Sequence, residues 1–339
     1  MIIFFKSNTT HTQTAELQLH LSQLGFESQL VQKLSLCIAP ALLDTNVLTR
    51  FDFIERAQII NSNFQLSSLA YKKETTFTIN GIKVGTHFAN IIAGPCSVES
   101  EKQIFETAEF LSKNNIKFIR GGAYKPRTSP YSFRGLGKDG LKMLNEAAKQ
   151  YNLIVVTELM DLSLLDEVLN YTDIVQIGSR NMANFYLLGE LGKIDKPILL
   201  KRGMQAKVNE WLLAADYLMS GGNEKIILCE RGIRSFDPAS RNVMDVAVIP
   251  LIQSLSHLPI FADPSHGTGD SNLVSPLAKA SMVAGANGLM IEIHPNPSKA
   301  LSDAKQALSF KAFEKLLSEL ETLKPAIQKP IDATYSLVV

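Results

Sequence analysis

The clearest pattern in the chain is a short apolar run that ends in a polar residue and is followed by a segment of helical periodicity. Eight such runs occur, at 91–96, 118–124, 153–159, 173–179, 197–203, 225–232, 258–265 and 288–294. Continuous rather than alternating apolar residues are typical of strands buried on both faces of a parallel sheet. Eight alternating strands and helices over residues 91–325 predict an α/β fold, a closed (β/α)8 TIM barrel. An open doubly wound sheet is the alternative, because a strand count does not establish closure.

The segment just before the barrel alternates instead. The sequence TFTINGIKVG (76–85) places Asn80-Gly81 between two alternating runs, the usual signal of a two-residue hairpin. Residues 71–90 are therefore interpreted as a linker with a β-hairpin. We expect this hairpin to close the barrel floor or to join two domains.

The first 70 residues mix short strand and helix patterns. The predicted elements are a strand (1–6), a helix (13–24), strands (27–32 and 35–39), a helix (46–56) and a strand (58–70). This βαββαβ order predicts a small ferredoxin-like α+β domain over residues 1–70. Residues 326–339 have no strong period and are interpreted as a C-terminal tail.

Composition fits a globular protein and limits its partners. Of 339 residues, 45% are hydrophobic and 20% charged, and the formal net charge is +1. A near-neutral chain has no global field that would hold nucleic acid or an anionic membrane, so anion binding must come from local clusters of cations. Three scattered cysteines are too few for a disulfide framework, and neither a secretory signal nor a run of membrane-spanning length is present. A cytoplasmic location is expected.

Polar side chains recur where the predicted barrel strands end. Reactive residues of such barrels lie at these C-terminal ends. In chain order the side chains are Cys96, Arg120 with Lys125, Glu158, Arg180, Lys201, Arg231, His266 and Glu292, with Arg127 and Asp303 on adjoining loops. Each of the eight strands thus contributes a polar group to one rim.

Part of this rim has the chemistry of a metal site. The candidate ligands are Cys96, His266, Glu292 and Asp303. A thiolate, an imidazole and carboxylates together suit one divalent manganese, cobalt, zinc or iron ion. The spacing contains no metal motif. A lone Cys96 would also fit a buried apolar position, as we expect for Cys229, and His294 rivals Glu292 as a ligand.

The rest of the rim is cationic. Its members are Arg120, Lys125, Arg127, Arg180, Lys201 and Arg231, with Arg202 and Arg234 nearby. Arginine binds carboxylate and phosphate groups through two parallel hydrogen bonds, and lysine supplies a point charge. Within this set, the stretch RGGAYKPRTSP (120–130) also admits a simpler interpretation as a solvated surface turn. Converging cations in a near-neutral protein favour a substrate set with two phosphates and a carboxylate.

Seven ordered motifs carry a family resemblance. They are AGPCSVES (93–100), RGGAYKPRTSPYSF (120–133), QIGSRNM (176–182), LLKRG (199–203), CERGIRSF (229–236), DPSHGTG (263–269) and IEIHPNPSKALSD (291–303). Together they resemble the 3-deoxy-D-arabino-heptulosonate 7-phosphate (DAHP) synthases of type I beta, which have an N-terminal regulatory domain. The KPRTS stretch separates the chain from the sister 3-deoxy-octulosonate 8-phosphate synthases, which have Ala-Asn-Arg-Ser there.

The resemblance implies a reaction and roles for the rim residues. The reaction would be a metal-dependent, aldol-like condensation of phosphoenolpyruvate with erythrose 4-phosphate, giving DAHP and phosphate at the start of aromatic amino acid synthesis. The implied phosphoenolpyruvate contacts are Arg120, Lys125, Arg180, Lys201 and Arg231, and the implied aldose phosphate contacts are Arg127, Thr128 and Ser129. Lys125, His266 and Glu158 are the candidate catalytic residues, although Glu158 would also fit a plain ion pair with a cation.

The resemblance further implies an aromatic amino acid effector, often tyrosine, bound between paired N-terminal domains of a homo-oligomer, a dimer or a tetramer. The alternative for residues 1–70 is a purely structural element. Rival functions are a Schiff-base aldolase using Lys201 or Lys125, an octulosonate-type synthase, and an effector-binding protein without activity. Asp270 and Ser271 replace a basic pair found in many relatives, which affects the expected charge of that loop.

Overall fold

The computed structural model describes residues 1–40, 44–125 and 129–323, and it opens with a four-stranded antiparallel sheet. The strands are β1 (Ile2–Phe5), β2 (Gln29–Val31), β3 (Leu36–Ile38) and β4 (Ile54–Gln58), and helix α1 (His11–Gln23) follows β1. The order across the sheet is β2-β3-β1-β4. A capping box at Thr10 and Gln13 begins α1, because each side chain accepts from the other residue's backbone N–H.

The two faces of this sheet pack against different partners. Ile3 belongs to one apolar cluster with Leu17 and Leu21 of α1. Ile2 and Leu36 instead belong to the large cluster that fills the space around the barrel. Alternation along β1 thus places one face under the helix and the other against the barrel.

Two predictions for this region are wrong. The helix expected at 46–56 is only a 3-10 turn, Thr45–Leu48, because Phe51 and Phe53 are buried on either side of exposed Asp52 and so follow a strand period. The strand expected at 58–70 is β4, which ends at Gln58. The following segment runs irregularly along the barrel, where the backbone N–H groups of Ser67 and Leu69 donate to Asp216 and Leu255.

A hairpin follows, as expected. Its strands are β5 (Thr76–Ile79) and β6 (Ile82–Gly85). Asn80 and Gly81 both have positive φ, 48° and 84°, as the predicted tight turn requires. Ile82 and Val84 are buried in the apolar cluster of the barrel interior with Phe261. The hairpin therefore closes the barrel floor, which confirms that expectation.

The eight parallel strands form a closed barrel. This confirms the predicted TIM barrel and excludes the open doubly wound sheet. Its strands are β7 (Asn90–Gly94), β8 (Phe118–Arg120), β9 (Ile154–Glu158), β10 (Ile174–Ile177), β11 (Ile198–Lys201), β12 (Ile226–Glu230), β13 (Ile260–Ala262) and β14 (Gly288–Glu292). All eight pair in parallel, and β14 pairs with β7 to complete the ring. Parallel closure sets every strand end on one rim.

Helices surround this ring. They are α2 (Glu101–Lys113), α3 (Gly137–Gln150), α4 (Leu165–Tyr171), α5 (Phe185–Leu191), α6 (Val208–Ser220), α7 (Val248–Leu255), α8 (Pro264–Thr268), α9 (Ser271–Val283) and α10 (Phe310–Thr322). Asp270 accepts from Asn272 N and caps α9, which gives this acidic departure from the basic pair a local structural role. None of the helices in the described part of the chain is long and apolar enough to cross a bilayer. The predicted tail, 326–339, lies outside the described residues.

Candidate active site

A cavity of about 670 Å³ of empty space opens at the carboxyl ends of the barrel strands. Most of the sequence-predicted rim residues reach it. They are Arg120, Lys125, Glu158, Arg180, Lys201, Arg231, His266 and Asp303, joined by Gln176, Met204 and Arg241. Residues distant in sequence therefore converge because their strands end on the same rim.

The four predicted ligands form one cluster beside this cavity. One ligand atom from each of Cys96, His266, Glu292 and Asp303 lies within 4.8 Å of all the others. Cys96 Sγ is 3.1 Å from Asp303 Oδ2, and His266 Nε2 is 3.3 Å from Glu292 Oε1. A sulfur, an imidazole nitrogen and two carboxylates at this separation suit a divalent transition metal.

Local structure explains how each of the four residues is positioned in the cluster. Cys96 follows β7 and Glu292 ends β14, and these strands are neighbours with Glu292 opposite Gly94. His266 lies in the short helix α8, directly after β13. Asp303 occupies a left-handed backbone conformation, with φ 49°, at the end of the loop that follows β14.

Asp263 orients His266, and the sequence analysis did not single it out. His266 Nδ1 lies 2.7 Å from Asp263 Oδ2, while the backbone N–H of His266 donates to Asp263 Oδ1 at 3.0 Å. The ring therefore holds its Nδ1 proton toward Asp263 and leaves Nε2 for the cluster. Burial lowers the pKa of His266, which keeps Nε2 available. The sequence did contain a signal for Asp263, because this residue directly follows β13 and precedes His266 by three positions.

Glu292 is held in its ionised form. Burial alone would raise the pKa of Glu292, but His266 and Arg120 outweigh it and the pKa falls to about 2. Arg120 forms an ion pair with Glu292 Oε1. Gln306 donates to Oε2 at 2.6 Å, so it is a further residue of the site that the sequence analysis missed.

Cys96 is the ligand that a metal would change most. Burial, followed by the charge of Glu292, raises the pKa of Cys96 to about 12 in the metal-free protein. Cation binding deprotonates a ligating thiol and so reverses this preference. Ser302 Oγ lies 3.0 Å from Sγ.

Arg120 and Lys125 lie on the other side of the cluster. Arg120 is 3% exposed, and its Nε has no hydrogen-bond partner in the described structure. Lys125 Nζ donates to Cys96 O at 3.1 Å. Burial would lower the pKa of Lys125, but Cys96 and Glu158 raise it overall, so its ammonium form is favoured. Both cations face space in which an anion would fit.

Arg231 is a buried cation without a carboxylate partner. It is 5% exposed, and no carboxylate of residues 1–40, 44–125 or 129–323 lies within 4 Å of it. Its guanidinium donates to Gly232 O at 3.4 Å, and burial lowers its pKa. Since an unpaired buried charge is costly, Arg231 marks a place for an anionic ligand. Arg180 lies more exposed at the cavity edge.

Lys201 and Glu158 complete the cavity wall. Lys201 Nζ forms a 2.6 Å ion pair with Asp263 Oδ2. Glu158 makes no ion pair with any described residue. Gly178 leaves room for it, because a Cβ at this position would collide with the Glu158 carboxylate.

The other candidate residues lie away from the cavity or outside the described part of the chain. Arg127 and Thr128 lie outside the described residues, and Ser129 is exposed. Cys229 is buried in the apolar interior, as expected. His294 pairs with Glu99 at 3.3 Å, and the four-residue cluster contains Glu292 rather than His294.

Two nearby arginines also differ from expectation. Arg202 is tied to Glu230 at 3.0 Å and to Asp245 at 2.9 Å, so its charge is already compensated. Arg241, which lines the cavity and lies 3.6 Å from Asp303, was missed. It follows no strand, so no strand-end pattern could have indicated it.

The closed (β/α)8 barrel places the protein among the TIM-barrel enzymes. The buried cations and the four-residue cluster at its strand ends are suited to binding anionic molecules. The family is more specific. Residues 66–329 match the model of the DAHP synthetase I family, and the chain belongs to that family.

Known proteins agree with this assignment. The chain is 48% identical over 277 residues to phospho-2-dehydro-3-deoxyheptonate aldolase of Thermotoga maritima, covering 81% of this chain and 82% of that protein. The crystal structure of this enzyme (DAHP synthase) from Thermotoga maritima matches with a TM-score of 0.79, 40% identity, and coverage of 98% and 99% of the two chains. A 2-dehydro-3-deoxyphosphooctonate aldolase of Francisella tularensis is 34% identical over 255 residues, 69% of this chain and 91% of the relative.

Proposed function

We propose that this protein is a DAHP synthase, which condenses phosphoenolpyruvate with erythrose 4-phosphate and releases phosphate. The observation that carries the proposal is Arg231, a buried cation with no carboxylate in contact among the described residues. It lines the same cavity as His266 and Asp303 of the four-residue cluster. A phosphorylated substrate would supply the missing negative charge. A phosphorylated substrate that also reacts at a metal ion would use both the unpaired cation and the ligand cluster.

Phosphoenolpyruvate would lie across the cationic wall. Arg180, Lys201 and Arg231 would hold its phosphate, and Arg120 and Lys125 its carboxylate. The unpartnered Nε of buried Arg120 and the Nζ of Lys125, favoured as an ammonium, support the carboxylate position. These contacts would place the reacting enol carbon beside the metal cluster and orient it toward the second substrate.

One divalent metal would be held by Cys96, His266, Glu292 and Asp303. When bound, such an ion supplies Lewis acidity toward an aldehyde oxygen. The donor set favours manganese, cobalt, zinc or iron over magnesium. His266 keeps Nε2 toward the cluster through Asp263, and this pair would also carry a proton at Nδ1.

The remaining groups would handle the aldose phosphate and water. Arg127, Thr128 and Ser129 would bind the phosphate of erythrose 4-phosphate. Glu158 faces the cavity without an ion-pair partner in the described structure, which fits a group that orients the attacking water or takes its proton.

The rival functions have weaker support. In the Schiff-base alternative a neutral amine is needed, yet Lys201 is paired with Asp263 at 2.6 Å and the pKa of Lys125 is raised. The octulosonate alternative has relatives at 34% identity, against 48% for the heptonate aldolase.

A phosphate-release assay tests the proposal. We expect turnover with phosphoenolpyruvate and erythrose 4-phosphate, and at least about tenfold less with arabinose 5-phosphate. Chelation should stop turnover, while borohydride with substrates should leave the protein unmodified. Imine trapping, or a preference for the five-carbon aldose, would contradict the proposed function.

We extend the proposal to residues 1–60, as a regulatory domain that binds an aromatic amino acid between copies in a cytoplasmic homodimer or homotetramer. We set the proposed boundary before residue 64 rather than at the expected 70, and the bonds from the backbone of Leu66 and Ser67 to Asp216 support this choice. A solved truncated DAHP synthase from Thermotoga maritima covers 79% of this chain at TM-score 0.74 and 46% identity. A protein beginning at Ser62 should keep its activity and lose inhibition by tyrosine or phenylalanine. Equal inhibition of both proteins would place the effector in the barrel.

A further inference from the structure

The loop after β14, here called the ligand loop (residues 293–302), carries Asp303 back to the metal cluster. It begins after Glu292, and its base is fixed by backbone bonds: His294 N donates to Leu308 O at 2.9 Å and Leu308 N donates to Glu292 O at 2.8 Å. Asp303 then occurs in a left-handed conformation. Since the base fixes only one end, the position of the Asp303 carboxylate depends on what holds the rest of the ligand loop.

Glu99 holds the ligand loop at two points. Its Oε1 accepts from Leu301 N at 2.9 Å, and its Oε2 lies 3.3 Å from His294 Nε2. Asn296 N donates to His294 Nδ1 at 3.0 Å, so Nδ1 is an acceptor and Nε2 carries the proton that Glu99 accepts. The His294 and Glu99 side chains are only 7% and 9% exposed. One buried carboxylate therefore accepts from both ends of the loop.

Glu99 also belongs to the segment that carries Cys96. It lies three residues after Cys96, and Ser97 Oγ donates to its Oε1 at 3.3 Å. On the ligand loop, Ser302 Oγ lies 3.0 Å from Cys96 Sγ, next to Asp303, whose Oδ2 is 3.1 Å from the same sulfur. Glu99 thus joins the two segments whose ligands must meet.

We propose that Glu99, together with His294, is a positioning residue that sets the distance between Cys96 and Asp303 and thereby the affinity for a divalent metal. The inference rests on the metal site of the proposed function. Glu99 is outside the four-residue cluster, so it acts through the loop and not as a ligand. Groups that hold ligands in this way change metal affinity when removed, typically by 10- to 100-fold.

The test is Mn²⁺ binding to the metal-free full-length protein, measured by electron paramagnetic resonance of the free ion and by equilibrium dialysis. Glu99→Ala should raise the Kd for Mn²⁺ about 10- to 100-fold. Glu101→Gln is the matched control, an exposed carboxylate in the first turn of α2, and should bind as the wild type does. Saturating Mn²⁺ should restore most of the turnover of Glu99→Ala, with KM for phosphoenolpyruvate nearly unchanged.

Two further variants separate positioning from general damage. Glu99→Gln keeps an oxygen for Leu301 N but presents an N–H to the Nε2 proton of His294, so we expect about 3- to 10-fold weaker Mn²⁺ binding. Glu99→Ala combined with His294→Gln should bind no more weakly than Glu99→Ala alone, because both changes release the same contact. Circular dichroism and thermal unfolding without metal should show all variants folded.

The outcomes distinguish the two proposals. Wild-type-like Mn²⁺ affinity in folded Glu99→Ala and Glu99→Gln would overturn the positioning role and leave the metal site standing. Additive losses in the double variant would overturn the shared contact. A wild-type protein that binds no Mn²⁺, Co²⁺, Zn²⁺ or Fe²⁺ would overturn the metal site itself and this inference with it.

Discussion

At the floor of the barrel, the hairpin adds Ile82 and Val84 to an apolar cluster with Phe118 and Phe261, all of them buried. At the opposite rim the buried side chains are ionisable. They include Arg120, Lys201, Arg231, Asp263 and Glu292. Apolar burial stabilises by about 25 cal/mol per Å², whereas buried charges cost free energy unless well paired. The apolar floor thus stabilises the fold, whereas the ionisable rim lowers its stability and serves function.

This contrast predicts that changes at the two ends will separate stability from activity. Substitutions of rim groups that have no ion-pair partner should remove activity and leave the free energy of unfolding nearly unchanged. Floor substitutions should do the opposite. The following experiments are ordered by the size of effect expected.

The largest effect should come from the metal cluster. Cys96→Ala removes the one sulfur ligand, and we expect at least about 1,000-fold loss of kcat/KM, or more than 4 kcal/mol of transition-state stabilisation. The thiol is neutral in the metal-free protein. The unfolding free energy of metal-free Cys96→Ala should therefore differ from that of the wild type by less than about 2 kcal/mol. Phosphate release and urea unfolding of the metal-free proteins measure the two quantities. Substantial activity in Cys96→Ala would contradict the role of the cluster.

A floor substitution should show the reverse. Ile82 is 4% exposed in the apolar cluster, and Ile82→Ala should lower the free energy of unfolding by about 2–5 kcal/mol. The metal-saturated enzyme should keep kcat/KM within about twofold at a temperature where it is folded. Lys83→Ala, an exposed position on the same strand, is the control. Lost activity in a folded Ile82→Ala protein would mean that the two ends are coupled.

The next effect tests the unpaired cation. Arg231→Ala should raise KM for phosphoenolpyruvate about 10- to 150-fold, since a charge-assisted contact to phosphate contributes about 1.5–3 kcal/mol. Stability should be unchanged or slightly higher, because the variant no longer buries an uncompensated charge. Arg202→Ala serves as the contrast, for its guanidinium is already paired with Glu230 and Asp245 and its loss should destabilise the protein. Unaltered kinetics in Arg231→Ala would remove the main support for the proposed function.

The barrel strands could be predicted from the sequence, because buried parallel strands have continuous apolar runs and abrupt polar ends. Cys96, His266 and Glu292 followed from those ends, and Asp303 from an adjoining loop. Gln306 did not, because an orienting partner is defined by distance to another side chain and has no pattern of its own. Asp263 directly follows β13 and so fits the strand-end pattern, but its orienting role is visible only in its contact with His266. Arg241 reaches the cavity from a loop outside any period.

The first 70 residues were harder for a different reason. Short strands give few repeats of the alternating pattern, so residues 46–56 looked helical although Phe51 and Phe53 alternate in burial. The irregular segment after β4 owes its path to barrel residues that lie far away in sequence, Asp216 and His257 among them. Such tertiary contacts override local preference.

The smallest expected effect concerns His257, which joins this irregular segment to the barrel. The ring is fully buried, with Nε2 2.7 Å from Leu66 O and Nδ1 2.6 Å from Thr75 Oγ1. Burial lowers its pKa to about 4 in the folded protein, with Lys72 adding to the shift and Glu224 opposing it.

Because the unfolded chain takes up this proton near pH 6.5 and the folded protein does not, stability should fall as the pH drops from 6.5 to 4, by at most about 1.4 kcal/mol per pH unit. Above pH 6.5 the group is neutral in both states and contributes no slope. His257→Gln keeps a donor and an acceptor but does not titrate. Urea unfolding at several pH values should therefore show a wild-type loss about 1–3 kcal/mol greater than that of the variant across this window. Parallel curves across this window would mean that His257 does not contribute to the acid sensitivity.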